Sequence, residues 1–285
     1  MHKNVILVAE TGSDITKELA GQHGIYLVPM HVSLGETTLD DGSFPPEDVC
    51  AYYDRTGKVP RTSASNPEDF AVVFDEIHAN HPEKQILHLA YSAVTTCSYQ
   101  NALIASEDRE YVRSVDTKHV SVGQATVALA VAQLLHEKPE ITLDEAAEAA
   151  KCIAEKTQMC FIPDNLDYLR AGGRVSNAVA LVGNILSLHP CIEIIDGKLL
   201  AQKKYRGSTK KVIPKLIADF VEKHALKKDL IRFINTPTLS EECRAIAEKT
   251  ARAMGFERIE WMKTGCVITC HGGPGAFGIV GIAGN

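Results

Sequence analysis

The first half of the chain alternates short apolar runs with helix signals, and no other feature narrows the fold as much. Val5 to Ala9 is apolar throughout, the pattern of a strand covered on both faces. Ile25 to Val32, Ile86 to Ala90 and Val112 to Val115 read as further strands. Helix signals separate them. A short helix closes near Gly24, and Gly35 to Gly42 reads as a hairpin or lid. Pro45-Pro46-Glu47-Asp48 opens a helix. Asn66-Pro67-Glu68-Asp69 combines a capping Asn, a proline at the first helical position and acids in the first turn, and starts a helix to about Asn80. Ser98 to Asp108 and Ser121 to Glu137 are further helices, and Thr142 with Glu145 forms a capping box. Such alternation predicts an α/β fold, a parallel Rossmann-like sheet with helices on both faces.

The second half changes character. Cys191 to Ile195 and Leu199 to Tyr205 flank Asp196-Gly197, a two-residue hairpin signal. Ser208 to His224 reads as a helix, Leu230 to Asn235 and Ile259 to Lys263 as strands. The helix between those strands is expected to start at Thr238, with Glu241 three residues on, and to end at Gly255. At 285 residues the chain exceeds one comfortable core. Two domains are expected, 1–159 and a smaller α/β domain 160–285, with a ligand between them.

Net charge is −6 and the basic residues are scattered, which argues against nucleic-acid binding. No apolar run approaches the roughly 20 residues of a membrane span, and no signal segment precedes the first strand, so a cytoplasmic protein is expected. The eight cysteines form no CxxC pair and read as free thiols.

The chemistry concentrates in Cys270-His271-Gly272-Gly273-Pro274-Gly275-Ala276-Phe277-Gly278. Glycines let backbone amides approach a ligand, and such a loop can cup an anion; a tight turn before a last strand is the plainer alternative. A strand ending in Cys270 would put Cys266 and Cys270 on one core-facing side, which disfavours a metal site with His271. Hydroxyls gather in two loops, Arg61-Thr62-Ser63-Ala64-Ser65 and Ser92 to Ser98, each leading to a helix start suited to an anion or simply to capping. There is no GxSxG, P-loop or HExxH. Ser92, His271 and Asp116 could be drawn as a triad, and Asp14, Asp40 and Asp41 as magnesium ligands, though nothing local supports either. Arg170-Ala171-Gly172-Gly173-Arg174 makes a turn that presents guanidinium groups, and the apolar run 178–188 could line a deep slot.

These residues resemble the DegV family of bacterial fatty-acid-binding proteins. The resemblance runs along nearly the whole chain: Glu10-Thr11-Gly12-Ser13-Asp14, Pro29 to Val32, Asp41-Gly42, Thr62-Ser63, Ser92 to Ala102 and Val115-Asp116-Thr117. Two motifs carry most of it, Tyr168 to Ser176 and His271 to Gly278. The resemblance implies a lipid-binding protein, not an enzyme by itself, that buries one long-chain fatty acid between two domains. By motif position the carboxyl group would meet Thr62, Ser92, His271 and Gly272. Ser63, Thr96, Arg170, Arg174 and Arg206 would support the site or dock a partner. That partner would be an ATP-dependent kinase subunit that phosphorylates the bound carboxyl group to acyl phosphate for phospholipid synthesis. No metal, no other cofactor and no catalytic residue is implied. Glu10, Ala93, Cys97, Ala125 and Thr269 depart from the family pattern, which leaves the hydroxyls in place and alters walls and turns. The alternative is a stand-alone hydrolase of apolar acids or esters with His271 as base.

Overall fold

The computed structural model describes residues 4–175 and 188–284; of the apolar run 178–188, only Leu188 lies within the described residues. β1 (Val5–Glu10) lies inside a four-stranded parallel sheet, between β2 (Ile25–Val28) and β6 (Gln85–Ala90), with β7 (Val112–Asp116) at the far edge. All six residues of β1 are buried, the five of its apolar run together with Glu10. One face packs on Phe70, Phe74 and Ile77 of α3 (Pro67–Asn80) and on α4 (Ser98–Ala105). The Asn66 cap is formed as expected, its side chain accepting from Glu68 and Asp69 amides.

The run Ile25 to Val32 is two strands, not one. Pro29 has no N–H for the ladder, and the chain turns there. β3 (His31–Leu34) leaves for a small antiparallel sheet with β4 (Thr37–Asp40) and β5 (Arg61–Ser63). β5 thereby holds Thr62 opposite Val32.

The second sheet has six strands, in the order β10-β9-β8-β13-β11-β12. In chain order they are β8 (Thr157–Ile162), β9 (Leu188–Ile195), β10 (Lys198–Arg206), β11 (Leu230–Asn235), β12 (Arg258–Lys263) and β13 (Phe277–Ile282). β9 and β10 form the hairpin expected around Asp196-Gly197. Only β11 and β12 pair in parallel, so the sheet is mixed. The expected division at 159/160 falls inside β8. α8 (Thr209–Lys223) and α9 (Glu241–Ala253) cover one face. α9 begins later than expected: Ser240 accepts from the Cys243 amide, while Thr238, just past Pro237, sits at φ 71° in a left-handed turn.

α5 (Ser121–Glu137) fills the space between the two sheets, and twelve of its seventeen residues are buried. Its packing joins Val5 and Leu87 of the parallel sheet to Ile192 and Val280 of the mixed sheet in one apolar cluster. Two short helices complete the junction. α7 (Leu166–Gly172) ends at Gly173, whose φ of 61° suits glycine. α10 (Cys266–Gly272) stands where a strand was expected. Cys266 and Cys270 still share a face, because four residues is close to one helical turn as well as two strand repeats. Both are buried.

Candidate functional site

A cavity of about 330 Å³ lies between the two sheets, bounded by residues from both halves of the chain. Its walls are mainly apolar, with Met30, Met159, Phe161, Ile234, Val267 and Phe277 among them. Thr62, Ser63, Thr96, Arg174, His271 and Gly272 also line it. Ser63, Cys97 and Arg174 are exposed, so the cavity reaches the surface at its polar end.

At that end β5 and α10 bring two distant residues together. Thr62 Oγ1 lies 2.9 Å from His271 Nε2. The other ring nitrogen, Nδ1, is buried without a hydrogen-bond partner among the described residues. It faces Gly172, where a Cβ would come within 2.3 Å of it. Burial, reinforced by the positive charge of Arg174, pushes the His271 pKa down to about 4. The ring is therefore neutral at pH 7 and carries one N–H. With that proton on Nε2 it donates to Thr62, and the threonine hydroxyl is left to donate onward. Arg174 itself donates to the Gly172 carbonyl at 2.8 Å. Neutral donors and one nearby guanidinium suit a single carboxylate at the mouth of an apolar chamber.

The other expected site residues lie elsewhere. Ser92 is fully buried and donates to the Gly197 carbonyl at 2.8 Å, pinning the β9–β10 hairpin tip to the loop after β6. It is not among the residues lining the cavity. Arg170, on α7, lies 3.6 Å from Asp167. Arg206 is exposed at the end of β10. The Ser92–His271–Asp116 triad does not assemble, since Asp116 accepts from the Ala93 and Lys118 amides and His271 turns to Thr62. Among the described residues no group of three or more His, Cys, Asp or Glu is placed to hold a metal ion. Asp40 accepts or shares a hydrogen bond with His31, while Asp14 and Asp41 face the start of α10.

Three lining residues carried no clear sequence signal: Tyr91, Thr236 and Thr264. Tyr91 is set by Glu10, whose Oε2 accepts from the Tyr91 amide at 3.0 Å and from Gln124 at 2.6 Å. Burial pushes the Glu10 carboxyl up, but the charge and hydrogen bond of His88 and the Tyr91 amide outweigh it and hold it below its usual value. Gly12 admits Tyr91 and Met30, whose side chains would lie 3.1 and 2.6 Å from a Cβ there.

The fold recurs in solved structures. A DegV family protein of Thermus thermophilus described as fatty acid binding is 26% identical, with a TM-score of 0.87 over 99% of this chain and 100% of that one. A Thermotoga maritima protein described as revealing fatty acid binding function is 25% identical, with a TM-score of 0.82 and coverage of 99% and 100%. A DegV domain-containing protein of Streptomyces coelicolor is 29% identical over 284 residues, 98% of this chain and 99% of its own length. A family model described as "Uncharacterised protein, DegV family" matches residues 4–283, and the chain belongs to that family.

Proposed function

We propose that this chain is a fatty-acid-binding protein that holds one long-chain acid in the inter-sheet cavity and presents its carboxyl group to a partner kinase. The observation that carries the reading is the Thr62–His271 pair at the polar mouth of an apolar chamber. The tail supplies affinity. At about 0.8 kcal/mol per methylene, a 16-carbon chain gains roughly 11 kcal/mol before ordering costs. The polar end supplies orientation, with Thr62, His271 and the space left by Gly272 around the carboxyl group and Ser63 and Thr96 beside it. Ser92 acts one step back, through the hairpin tip. The similar Thermus thermophilus and Thermotoga maritima proteins are described as binding fatty acids, which supports the same ligand class here. The division into 1–159 and 160–285, with the acid between the two parts, belongs to the same reading.

Transfer of phosphate to the bound acid would be the partner's chemistry. Exposed Arg206 and Arg170 lie off the cavity and suit docking; Arg174 stands at the mouth itself. Denaturing mass spectrometry of freshly purified protein tests the binding step: an acyl chain near stoichiometric amount is expected, and its absence overturns the reading. Arg206→Ala should leave palmitate affinity within twofold of wild type and lower acyl phosphate formation by a fatty acid kinase subunit at least fivefold; unchanged phosphorylation removes Arg206 from the docking surface.

The hydrolase reading has one observation in its favour, the 2.9 Å contact that could pair a hydroxyl nucleophile with a base. Among the described residues no carboxylate orients Nδ1, and a ring that titrates near 4 is a weak base at neutral pH. Hydrolysis of p-nitrophenyl palmitate by the isolated chain, lost in His271→Ala, would favour that reading over the first.

A further inference from the structure

α10 carries His271 into the cavity, yet nothing of its own caps its start. Its N-cap residue, Gly265, has no side chain, and no side-chain cap bond comes from within the helix. The first amides are instead held from more than two hundred residues away. Gly265 N donates to Asp14 Oδ1 at 2.7 Å, Cys266 N to Asp41 Oδ1 at 2.8 Å and Val267 N to the same oxygen at 3.3 Å. Asp14 follows β1 and Asp41 follows β4, so both carboxylates reach out of the N-terminal half.

We propose that Asp14 and Asp41 are positioning residues for the head-group site, a carboxylate latch that fixes where α10 holds His271 against Thr62. The inference rests on the fatty-acid reading above for its consequence and on geometry for its substance.

Several features set this pair apart from an ordinary cap. Asp14 is 5% exposed and Asp41 3%, so two acids are buried side by side. Burial pushes both carboxyl groups up; the Asp41 charge adds to this at Asp14, while the Ser121 hydroxyl and the helix amides oppose it. Gly265 permits the approach: a Cβ there would lie 3.0 Å from Asp41 Oδ1 and 3.5 Å from Asp14 Oδ1. Asp14 and Ser121 both adopt left-handed backbone, at φ 62° and 51°, and the serine hydroxyl donates to Asp14. Such conformations are retained where the surroundings enforce them. Ser121 also lines the cavity, so the latch touches the chamber it serves.

The mechanical link is short. His271 lies six residues beyond Gly265, about 9 Å along a helix axis. The ring end is wedged between Gly172 and Thr62. With both ends of α10 held, the imidazole has one position; with the first end released, the helix can tilt and the ring can leave Thr62.

The test compares palmitate with methyl palmitate, which keeps the tail and lacks the carboxylate, and follows the His271 ring by NMR titration in lipid-free protein. Asp41→Ala should weaken palmitate at least tenfold and methyl palmitate less than twofold, and move the His271 titration from near 4 towards 6.5. Asp41→Asn, which keeps an acceptor oxygen, should restore most of the palmitate affinity. If Asp41→Ala does not fold, Gly265→Ala keeps both acids while crowding Asp41 Oδ1 at 3.0 Å and should give the same split to a smaller degree. Equal weakening of both probes, or an unmoved His271 titration, overturns the latch. A wild-type protein that binds neither probe overturns the fatty-acid reading instead, and the ring titration alone then decides the latch.

Discussion

At the scale of single residues the site is governed by what His271 is denied. Its Nδ1 faces Gly172 instead of a carboxylate, and its Nε2 meets Thr62. Gly172→Ala would place a methyl group 2.3 Å from that nitrogen, so the ring must move. We expect palmitate binding to weaken at least tenfold, about 1.4 kcal/mol, with a stability loss of about 1–3 kcal/mol from overpacking; isothermal titration and urea unfolding check the two parts. Acid tests the same ring in another way. In the unfolded chain it gains its proton near 6.5, in the native state only near 4. A histidine whose folded value is depressed contributes stability that is present above the unfolded value and lost as pH falls towards the folded one. About 3 kcal/mol should disappear between pH 6.5 and 4. Unfolding of wild type and His271→Asn at pH 7 and pH 4.5 isolates it: the wild type should lose more, and equal losses refute the assignment. His271 and Thr62 were legible in the sequence as motif residues. The task of Gly172 was not, because a glycine pair beside arginines reads as a turn, and only the fold shows which side chain needs the missing Cβ.

At the scale of elements, punctuation residues settled what periodicity left open. Pro29 splits one apolar run between two sheets, and Thr238 turns left-handed so that Ser240 caps α9. The segment before Gly272 is a helix where the sequence pattern predicts a strand, because Cys266 and Cys270 share a face in either conformation. The α10 helix declares itself by caps that come from Asp14 and Asp41, too far off in sequence for any local pattern to register. The β9–β10 hairpin is a similar case: Asp196-Gly197 announced it, but not that its tip would be held by Ser92. A Cβ on Gly197 would lie 2.6 Å from that hydroxyl, so the tip fits closely. Ser92→Ala should cost about 1–2 kcal/mol, since it leaves a buried carbonyl without its donor. It should also speed amide hydrogen exchange at residues 195–198 in lipid-free protein. Unchanged exchange there, with weaker palmitate binding, would return Ser92 to the head group.

At the scale of the whole molecule, α/β alternation predicted the parallel sheet, and hairpin and strand signals predicted the second sheet's members except β8, an interior strand that no sequence signal announced. Their relative arrangement was not readable, because α5 is buried almost all round and so shows no polar face to orient it. That helix fuses the two sheets into one apolar cluster, and the cavity is the place where the fusion stops short. A ligand in that gap touches both halves, so its binding free energy adds to the stability of the native chain alone. At a free acid concentration 100 times Kd the gain is about 2.7 kcal/mol, which for a chain of this size is a rise of about 5–10 °C in melting temperature. Protein stripped of lipid and refilled with palmitate should recover that interval under calorimetry, as one transition in both states, because the core is continuous. Methyl palmitate should recover a smaller share, the difference measuring what Thr62 and His271 contribute at the mouth. Two separate transitions in the stripped protein would show that the acid, and not α5, joins the halves; an unchanged melting temperature would mean that the native chain does not bind palmitate.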